Sequence, residues 1–245
     1  MPEHAIRHAG LFGVLALALA AFVYFFALNS EHAATNGDEL LYAQITRVTA
    51  QTGHWLPLQS KVERHRNTKP PALFWQGISS TDWAARWDLW HLRYPNVLYT
   101  LAIAAMAFFV ARKAGSGNAA GVLAVLIYLA FFGTYRYGRV FLTSAPETFW
   151  LFAPFFVLLV WRPRAGGLTW PLAFAFGLMF GIASLYKSFA LALPAAAGLA
   201  WWTLHLRGYR VGPWLRGDAP KIALASVLAL GVFSLWYWLD PQRHL

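Results

Sequence analysis

Cysteine is absent from the 245 residues of the chain, which excludes disulfides, thiol nucleophiles and thiolate metal sites. Charge is scarce as well. Asp, Glu, Lys and Arg make up 12% of the residues, whereas a soluble domain carries about 25%. With 58% apolar residues, the chain cannot cover itself with an ordinary polar surface. Acids are the scarcer sign, ten against twenty Lys and Arg, for a net charge of +10. No internal repeat, low-complexity tract, glycine-rich phosphate loop or defensible Ser-His-Asp order is present. A basic chain often partners nucleic acid, but here the basic residues flank apolar runs and gather on no soluble face. Anionic lipid head groups fit that arrangement, and nucleic acid does not.

What the chain does have is long uncharged apolar runs. Such stretches approach the length that crosses a hydrocarbon core of about 30 Å. Lipid offers no partner to a free N–H or C=O, so spans of this kind fold as helices. The runs predict spans at about 11–28, 96–111, 118–135 and 147–161, two more within 168–206 divided at Lys187, and a last at 222–239. The fourth is short and aromatic. The expected fold is all-α: a polytopic helical membrane protein of about seven transmembrane helices. A single transmembrane domain then covers 1–245, with a long first external loop at 29–94 that carries amphipathic surface helices.

Basic residues in short loops set the orientation. Arg7, Arg112, Lys113, Arg162 and Arg164 fall on one side with Arg207, Arg210, Arg216 and Lys221, and that side is the cytoplasm. The 29–94 loop, the 136–146 loop, Lys187 and the C-terminal tail then lie outside. The external loop is itself basic, with Lys61, Arg64, Arg66, Lys69, Arg86 and Arg93, but loops of its length weigh little in the rule. The expectation is a multi-pass plasma membrane protein, in the inner membrane of a bacterium, with a cytoplasmic N-terminus and a periplasmic loop. The first run exceeds the roughly 7–15 apolar residues of a signal-peptide core and lacks a clear small-x-small cleavage site, so it reads as an uncleaved anchor.

Asp38 and Glu39 stand together just beyond that first run, and in so acid-poor a chain they need a reason. Residues 38–50 place Leu41, Ile45 and Val48 at helical spacing, a stripe suited to a helix lying on the membrane surface. Asn36, with Glu39 three residues on, has the form of a capping box. One reading is that the acids favour a helix N-terminus, where the dipole stabilises negative charge. The other is that they do chemistry. Trp55, Phe74, Trp75, Trp83, Trp87 and Trp90 crowd the same loop, as an interfacial belt or as a surface on which a sugar stacks. His54, His65 and His91 with Glu63 show no metal-ligand spacing, and His32 lies close to the acids as a proton partner.

Motifs follow one another along this loop: Gly37-Asp38-Glu39-Leu40-Leu41-Tyr42-Ala43, Gly53-His54-Trp55-Leu56-Pro57, Lys69-Pro70-Pro71-Ala72-Leu73-Phe74-Trp75 and Arg93-Tyr94-Pro95. The ordered series resembles the polyprenyl-phosphate-sugar-dependent glycosyltransferases of the GT-C superfamily, of the protein mannosyltransferase and lipid A aminoarabinose transferase type. Gly138-Arg139 with Thr143-Ser144-Ala145-Pro146 is similar to that family's next external loop. Leu185-Tyr186-Lys187 is similar to its later lysine motif, and Leu235-Trp236-Tyr237 to the end of a subsequent span.

The resemblance implies an inverting membrane transferase at the external face. Its donor would be a sugar on a polyprenyl phosphate, undecaprenyl phosphate in a bacterium, and its acceptor a lipid, glycan or protein. Asp38, with Glu39 beside it, matches the family's first-loop carboxylate, which would orient or deprotonate the acceptor. Lys69 matches the lysine expected at the lipid phosphate, with Lys187 and Arg139 as further cations where negative charge grows. Pro70 and Pro71 would fix the backbone that aims Lys69. Arg93, Tyr42, Ser144 and Glu147 stand as acceptor contacts or supports. The lipid-linked sugar is a substrate rather than a cofactor, and the residues name no divalent metal.

Two departures qualify the resemblance. The family often carries a second acid in a Thr-Asp-Ala-Pro-like stretch, where this chain has Ser144, and a hydroxyl supplies no negative charge. Glu147 substitutes only if that turn is helical. Family members are also longer, with further spans and often an external C-terminal domain, so the likeness covers nearly all of this chain but only the family's N-terminal half. A truncated reading frame, an independent short member and one chain of a split enzyme, with a second chain supplying the rest, are the alternatives. Two other classes stand beside a transferase. One is a non-catalytic membrane protein that binds lipid-linked sugar or a partner subunit. The other is a transporter, which calls for acids or broken helices near mid-membrane.

Overall fold

The computed structural model describes residues 3–31, 37–56, 67, 69–115, 117–161 and 167–239, with side chains from residue 13 onward. His32, Asn36, Pro57, Lys61, Glu63, Arg64, His65, Arg66, Arg162 and Arg164 lie outside the described residues, as does the side chain of Arg7. The capping box at Asn36, the proton partner His32 and the His65–Glu63 grouping therefore have no structural counterpart here.

The described residues are helical, without a strand. The helices are α1 (Glu3–Phe25), α2 (Gly37–Gln51), α3 (Ala72–Ser80), α4 (Leu89–Ala114), α5 (Asn118–Ala130), α6 (Phe132–Tyr137) and α7 (Ser144–Trp161). They continue with α8 (Trp170–Tyr186), a 3-10 turn at Phe189–Leu191, α9 (Ala192–Leu206), α10 (Val211–Gly217) and α11 (Ala219–Leu239). Large apolar side chains point outward from several of them, among them Leu15 and Phe22 on α1, Ile127 on α5 and Val227 on α11. A helix apolar on all sides is at home in lipid. The protein is a polytopic helical membrane protein.

The boundaries differ from the hydropathy reading in informative ways. Among the described residues, four segments are long and apolar enough to cross a bilayer: α4, α7, Phe189–Leu206 and α11. The third span is not one straight helix over 118–135. It breaks at Phe131, and α5 and α6 meet at 66°, because Phe131 adopts an extended backbone between them. Apolar segments Gly13–Phe25 and Trp170–Tyr186 are shorter, so helix length alone does not fix the count of seven. The second span begins at Leu89 rather than at 96. Asp88 caps it, accepting from the His91 N–H at 2.8 Å, and Pro95 is carried inside the helix. The division of the long apolar run at Lys187 is where α8 ends.

Packing is tightest between α8 and α11. Gly177 and Gly181 lie four residues apart, a spacing that lets two helix backbones approach closely. A Cβ at Gly177 would stand 2.9 Å from the Ala225 carbonyl oxygen, and one at Gly181 would stand 2.8 Å from the Val232 Cβ. At Gly231 a Cβ would meet nothing within 4 Å. Gly177→Leu should therefore lower stability by about 1–3 kcal/mol, the usual cost of overpacking, while Gly231→Leu does not. Thermal unfolding of the detergent-solubilised protein reads the difference, and equal midpoints for the two variants would refute the packing account.

Candidate functional site

The site is built around the first turn of α2, where Asp38 and Glu39 diverge. Asp38 is exposed and Glu39 is fully buried. Glu39 Oε1 accepts from Arg93 Nε at 2.7 Å and from the Phe141 backbone N–H at 2.8 Å, and Oε2 accepts from Arg93 Nη2 at 2.9 Å. Arg93, also fully buried, donates from Nη1 to the carbonyls of Leu28 and Ser30, both at 2.9 Å. The two-pronged pairing uses the planar fork of the guanidinium. Glu39 thus faces inward and is committed to Arg93, and Arg93 is spent on protein acceptors.

The face of α4 that carries Arg93 continues this work. Asn96 donates to the carbonyls of Val140 and Leu142 at 2.5 and 2.7 Å, and Thr100 donates to the Gly138 carbonyl at 2.8 Å. Arg93, Asn96 and Thr100 share one side of the helix, being three and four residues apart. Together with Glu39 they hold the segment 138–143 by its backbone. Arg139, within that segment, donates from Nε to the Tyr24 carbonyl at 2.9 Å, and also to the Phe26 carbonyl and the Tyr135 hydroxyl. It reaches back to α1 rather than out to a ligand. A Cβ at Gly138 would stand 2.6 Å from both Thr100 Oγ1 and the Thr134 carbonyl, so glycine is what allows this segment to lie so close.

The second group of site residues lies where segment 69–71, α7 and α8 meet. Lys69 is half-buried before Pro70 and Pro71, which lead into α3, and Lys187 is exposed at the C-terminal cap of α8. Both lysine charges act on Glu147, Lys187 the more strongly. Glu147 sits in the first turn of α7, is nearly fully buried, and leaves Oε1 without a hydrogen-bond partner. The turn at Ser144 is thus helical, the condition under which Glu147 offers the acid that Ser144 lacks. Ser144 itself is half-buried and lines a 250 Å³ cavity with Thr100, Tyr128 and Thr134, whose walls include neither lysine.

Further buried polar atoms without partners collect nearby. The indole N–H groups of Trp150 and Trp236 are buried and unbonded, and both side chains pack against the cluster that contains Leu185 and Tyr186. Unsatisfied buried donors and acceptors are rare in native structures, so the Glu147 oxygen and these two indole N–H groups stand out. Tyr42 belongs to the same cluster. Its phenol is pushed up to about 12, by burial first and by the Asp38 charge second, so it remains a neutral hydroxyl. Tyr186 donates to Gln76 Oε1 at 3.2 Å, and Gln76 donates to Asn96 at 2.7 Å, which ties the α8 end to the clamp on α4.

Several expectations change in detail. In α2 the buried face is Glu39, Tyr42, Ile45 and Thr49, with Leu41 and Val48 only half-buried. The helix packs inward instead of floating on the surface. Phe74 is fully buried and belongs to no interfacial belt, whereas Trp55 and Trp83 are exposed and meet edge-to-face at 4.6 Å. His91 is bonded through Nδ1 to Asp88 at 2.8 Å, and among the described residues no three metal-ligating side chains come together. Asn96, Thr100, Gln76 and Trp150 escaped the sequence reading. A signal existed for the first two, since polar residues inside an apolar span earn scrutiny by their cost.

Fold and comparison together give the class: a helical membrane protein of the GT-C superfamily. The chain belongs to the dolichyl-phosphate-mannose-protein mannosyltransferase family, whose pattern matches residues 11–243. It is 30% identical over 213 residues to the undecaprenyl phosphate-alpha-4-amino-4-deoxy-L-arabinose arabinosyl transferase of Edwardsiella ictaluri (strain 93-146). That match covers 82% of this chain and 37% of the relative, so the chain spans little more than a third of the relative's length. The fold is similar to that of ArnT from Cupriavidus metallidurans in the apo state, with a TM-score of 0.69 at 21% identity, over 96% of this chain and 43% of that one. The same protein bound to undecaprenyl phosphate aligns with a TM-score of 0.60 at 19% identity, over 94% and 42% of the two chains.

Breaking the buried ion pair should be costly, because it strands one charge in the interior. Arg93→Ala should destabilise the protein by about 3–5 kcal/mol. Glu39→Leu combined with Arg93→Met should cost less than the sum of the single changes. A double-mutant cycle on thermal unfolding measures this, and simple additivity would show that the pair is not coupled.

Proposed function

We propose that this chain forms the donor- and acceptor-binding part of a GT-C glycosyltransferase that moves a sugar from undecaprenyl phosphate to a lipid, glycan or protein acceptor. The observation that carries the reading is the convergence of Lys69 and Lys187, from separate elements, on the buried and unpartnered Glu147 oxygen. No ion pair joins Glu147 to either lysine among the described residues, which leaves both ammonium groups for an anion. Family membership and the Edwardsiella relative support a polyprenyl-phosphate sugar as donor.

In this reading Lys69 and Lys187 hold the phosphate, and Asp38 receives the acceptor's proton. The acceptor oxygen bonds to the anomeric carbon as the bond from that carbon to the phosphate oxygen breaks. The lipid phosphate leaves with the electron pair, and the centre inverts. Glu147 supplies the second carboxylate in place of Ser144, and Tyr42 offers a neutral hydroxyl beside Asp38. Glu39, Arg93 and Arg139 act as positioning residues, since their polar atoms are engaged with the protein. The site faces the periplasm of a bacterial inner membrane and the N-terminus the cytoplasm, and 1–245 form one membrane domain. Turnover on this reading draws on further spans of the kind present in the longer relatives, on the same or a second chain.

Binding and turnover separate the parts of the proposal. Replacing Lys69 or Lys187 by Met should weaken undecaprenyl-phosphate binding by about 10- to 150-fold, from ~1.5–3 kcal/mol per charge-assisted hydrogen bond. Asp38→Asn should keep that binding and lose sugar transfer. Unchanged lipid-phosphate affinity in the double lysine variant would remove the phosphate site. Lipid-phosphate binding without transfer, in any pairing of chains, would favour a non-catalytic carrier of lipid-linked sugar, the reading that Ser144 supports.

A further inference from the structure

Two cavities, neither lined by Lys69, Lys187 or Glu147, run together along α3 and α4. One, of 580 Å³, is walled in part by Asp82, Arg86, Trp90 and His91; the other, of 480 Å³, by Pro95, Leu98, Tyr99 and Phe149. Ser79, Ser80 and Tyr94 line both. The result is one groove with a charged mouth and an apolar floor. From His91 to Ala102, which closes the far end, the groove follows α4 for about 17 Å at 1.5 Å per residue. That is roughly half of a 30 Å hydrocarbon core, the depth of one leaflet.

The mouth has an unusual charge arrangement. Asp82 and Arg86 line the same cavity, four residues apart, yet form no ion pair with each other or with any described residue. The His91 ring on the same wall is already bonded to Asp88. The backbone between Asp82 and Arg86 is strained. Asp82, Trp83 and Ala84 all have positive φ, at 51°, 52° and 66°, a conformation that side chains with a Cβ adopt rarely. Hydrogen bonds from Trp83 N to Ile78 O and from Arg86 N to Thr81 O, both 3.0 Å, hold the turn, with Trp55 stacked edge-on against Trp83. Strain retained in this way collects at ligand clamps.

We propose that this groove seats one zwitterionic phospholipid of the phosphatidylethanolamine type. Its phosphate meets Arg86, its ammonium meets Asp82, and one acyl chain lies along Pro95, Leu98 and Phe149. Two opposite charges held in one cavity without neutralising each other match a head group that carries both. An anionic lipid such as phosphatidylglycerol would satisfy Arg86 and be repelled by Asp82. The half-exposed Leu98 gives the chain an apolar wall at the right depth. The assignment stands on these residues alone and does not depend on the lysine site or on sugar transfer.

Native mass spectrometry of the full chain, extracted from vesicles with equal amounts of phosphatidylethanolamine and phosphatidylglycerol, tests it. Phosphatidylethanolamine should be retained with roughly tenfold preference, the scale of one charge-assisted contact. Asp82→Asn should abolish the preference. Arg86→Gln and Leu98→Trp should each reduce retention of both lipids, with the thermal midpoint unchanged because all three side chains are exposed. Equal retention of the two lipids by the unmodified protein, or a preference that survives Asp82→Asn, would overturn the proposal. So would displacement of the lipid by undecaprenyl phosphate, which would give the groove to another occupant, or by glycerophosphoethanolamine, which has no chain to fill the floor.

Discussion

The buried pair of Glu39 and Arg93 is the interaction on which the rest of the site depends. Neither side chain has access to water, so each must find every partner within the protein. Glu39 takes two bonds from Arg93 and one from the backbone of Phe141, and Arg93 gives its remaining contacts to the chain just beyond α1. Four separate pieces of sequence are joined at one point. A buried ion pair is weak evidence for net stability, because desolvation offsets much of the attraction. Its strength lies in having a single satisfactory geometry, and that geometry sets where the first turn of α2 sits against segment 138–143.

That platform is rigid because backbone groups, not side chains alone, are held. Asn96, Thr100 and Glu39 between them bind the segment at Gly138, Val140, Phe141 and Leu142. Ser144 and Glu147 follow immediately, so the start of α7 inherits its position from the clamp. The lysines arrive from outside it: Lys69 ahead of Pro70 and Pro71, Lys187 from the C-terminal cap of α8. A carboxylate held in place by the clamp, with two long lysine side chains reaching it from other elements, keeps its register while the lysines adapt to a ligand.

Hydropathy exposed most of the bundle, because lipid makes the signal one-dimensional: a span must be apolar and helical whatever packs against it. The split at Lys187 and the helix at Asp38 were visible for the same kind of local reason. The bend at Phe131 was not, since the apolar run continues without interruption from Ala119 through Phe132. Lys69, Lys187 and Glu147 were legible as individual residues through family resemblance and through their rarity in an apolar chain. Their meeting was not, because α7 and α8 come together through packing that no short-range pattern reports. The pairing of Glu39 with Arg93 spans 54 residues, and Arg139 contacts a residue 115 positions away. Such bonds are tertiary facts. Arg139 is legible in the sequence as a phosphate cation and Arg93 as an acceptor contact or support, because an arginine near a membrane surface needs anions or carbonyls, and sequence does not say which.

The order of these partners along the chain has a consequence for biogenesis. The acceptors in α1, in the chain just beyond it and in α2 all precede the guanidiniums that they satisfy: the carbonyls of Tyr24, Phe26, Leu28 and Ser30, and then the Glu39 carboxylate. A polypeptide made from its N-terminus delivers these before Arg93 and Arg139 leave the ribosome. Each arginine is therefore synthesised after the groups that pair with it. The first helix, read from sequence as an anchor, is thus also the template against which α4 and the segment 138–143 are set.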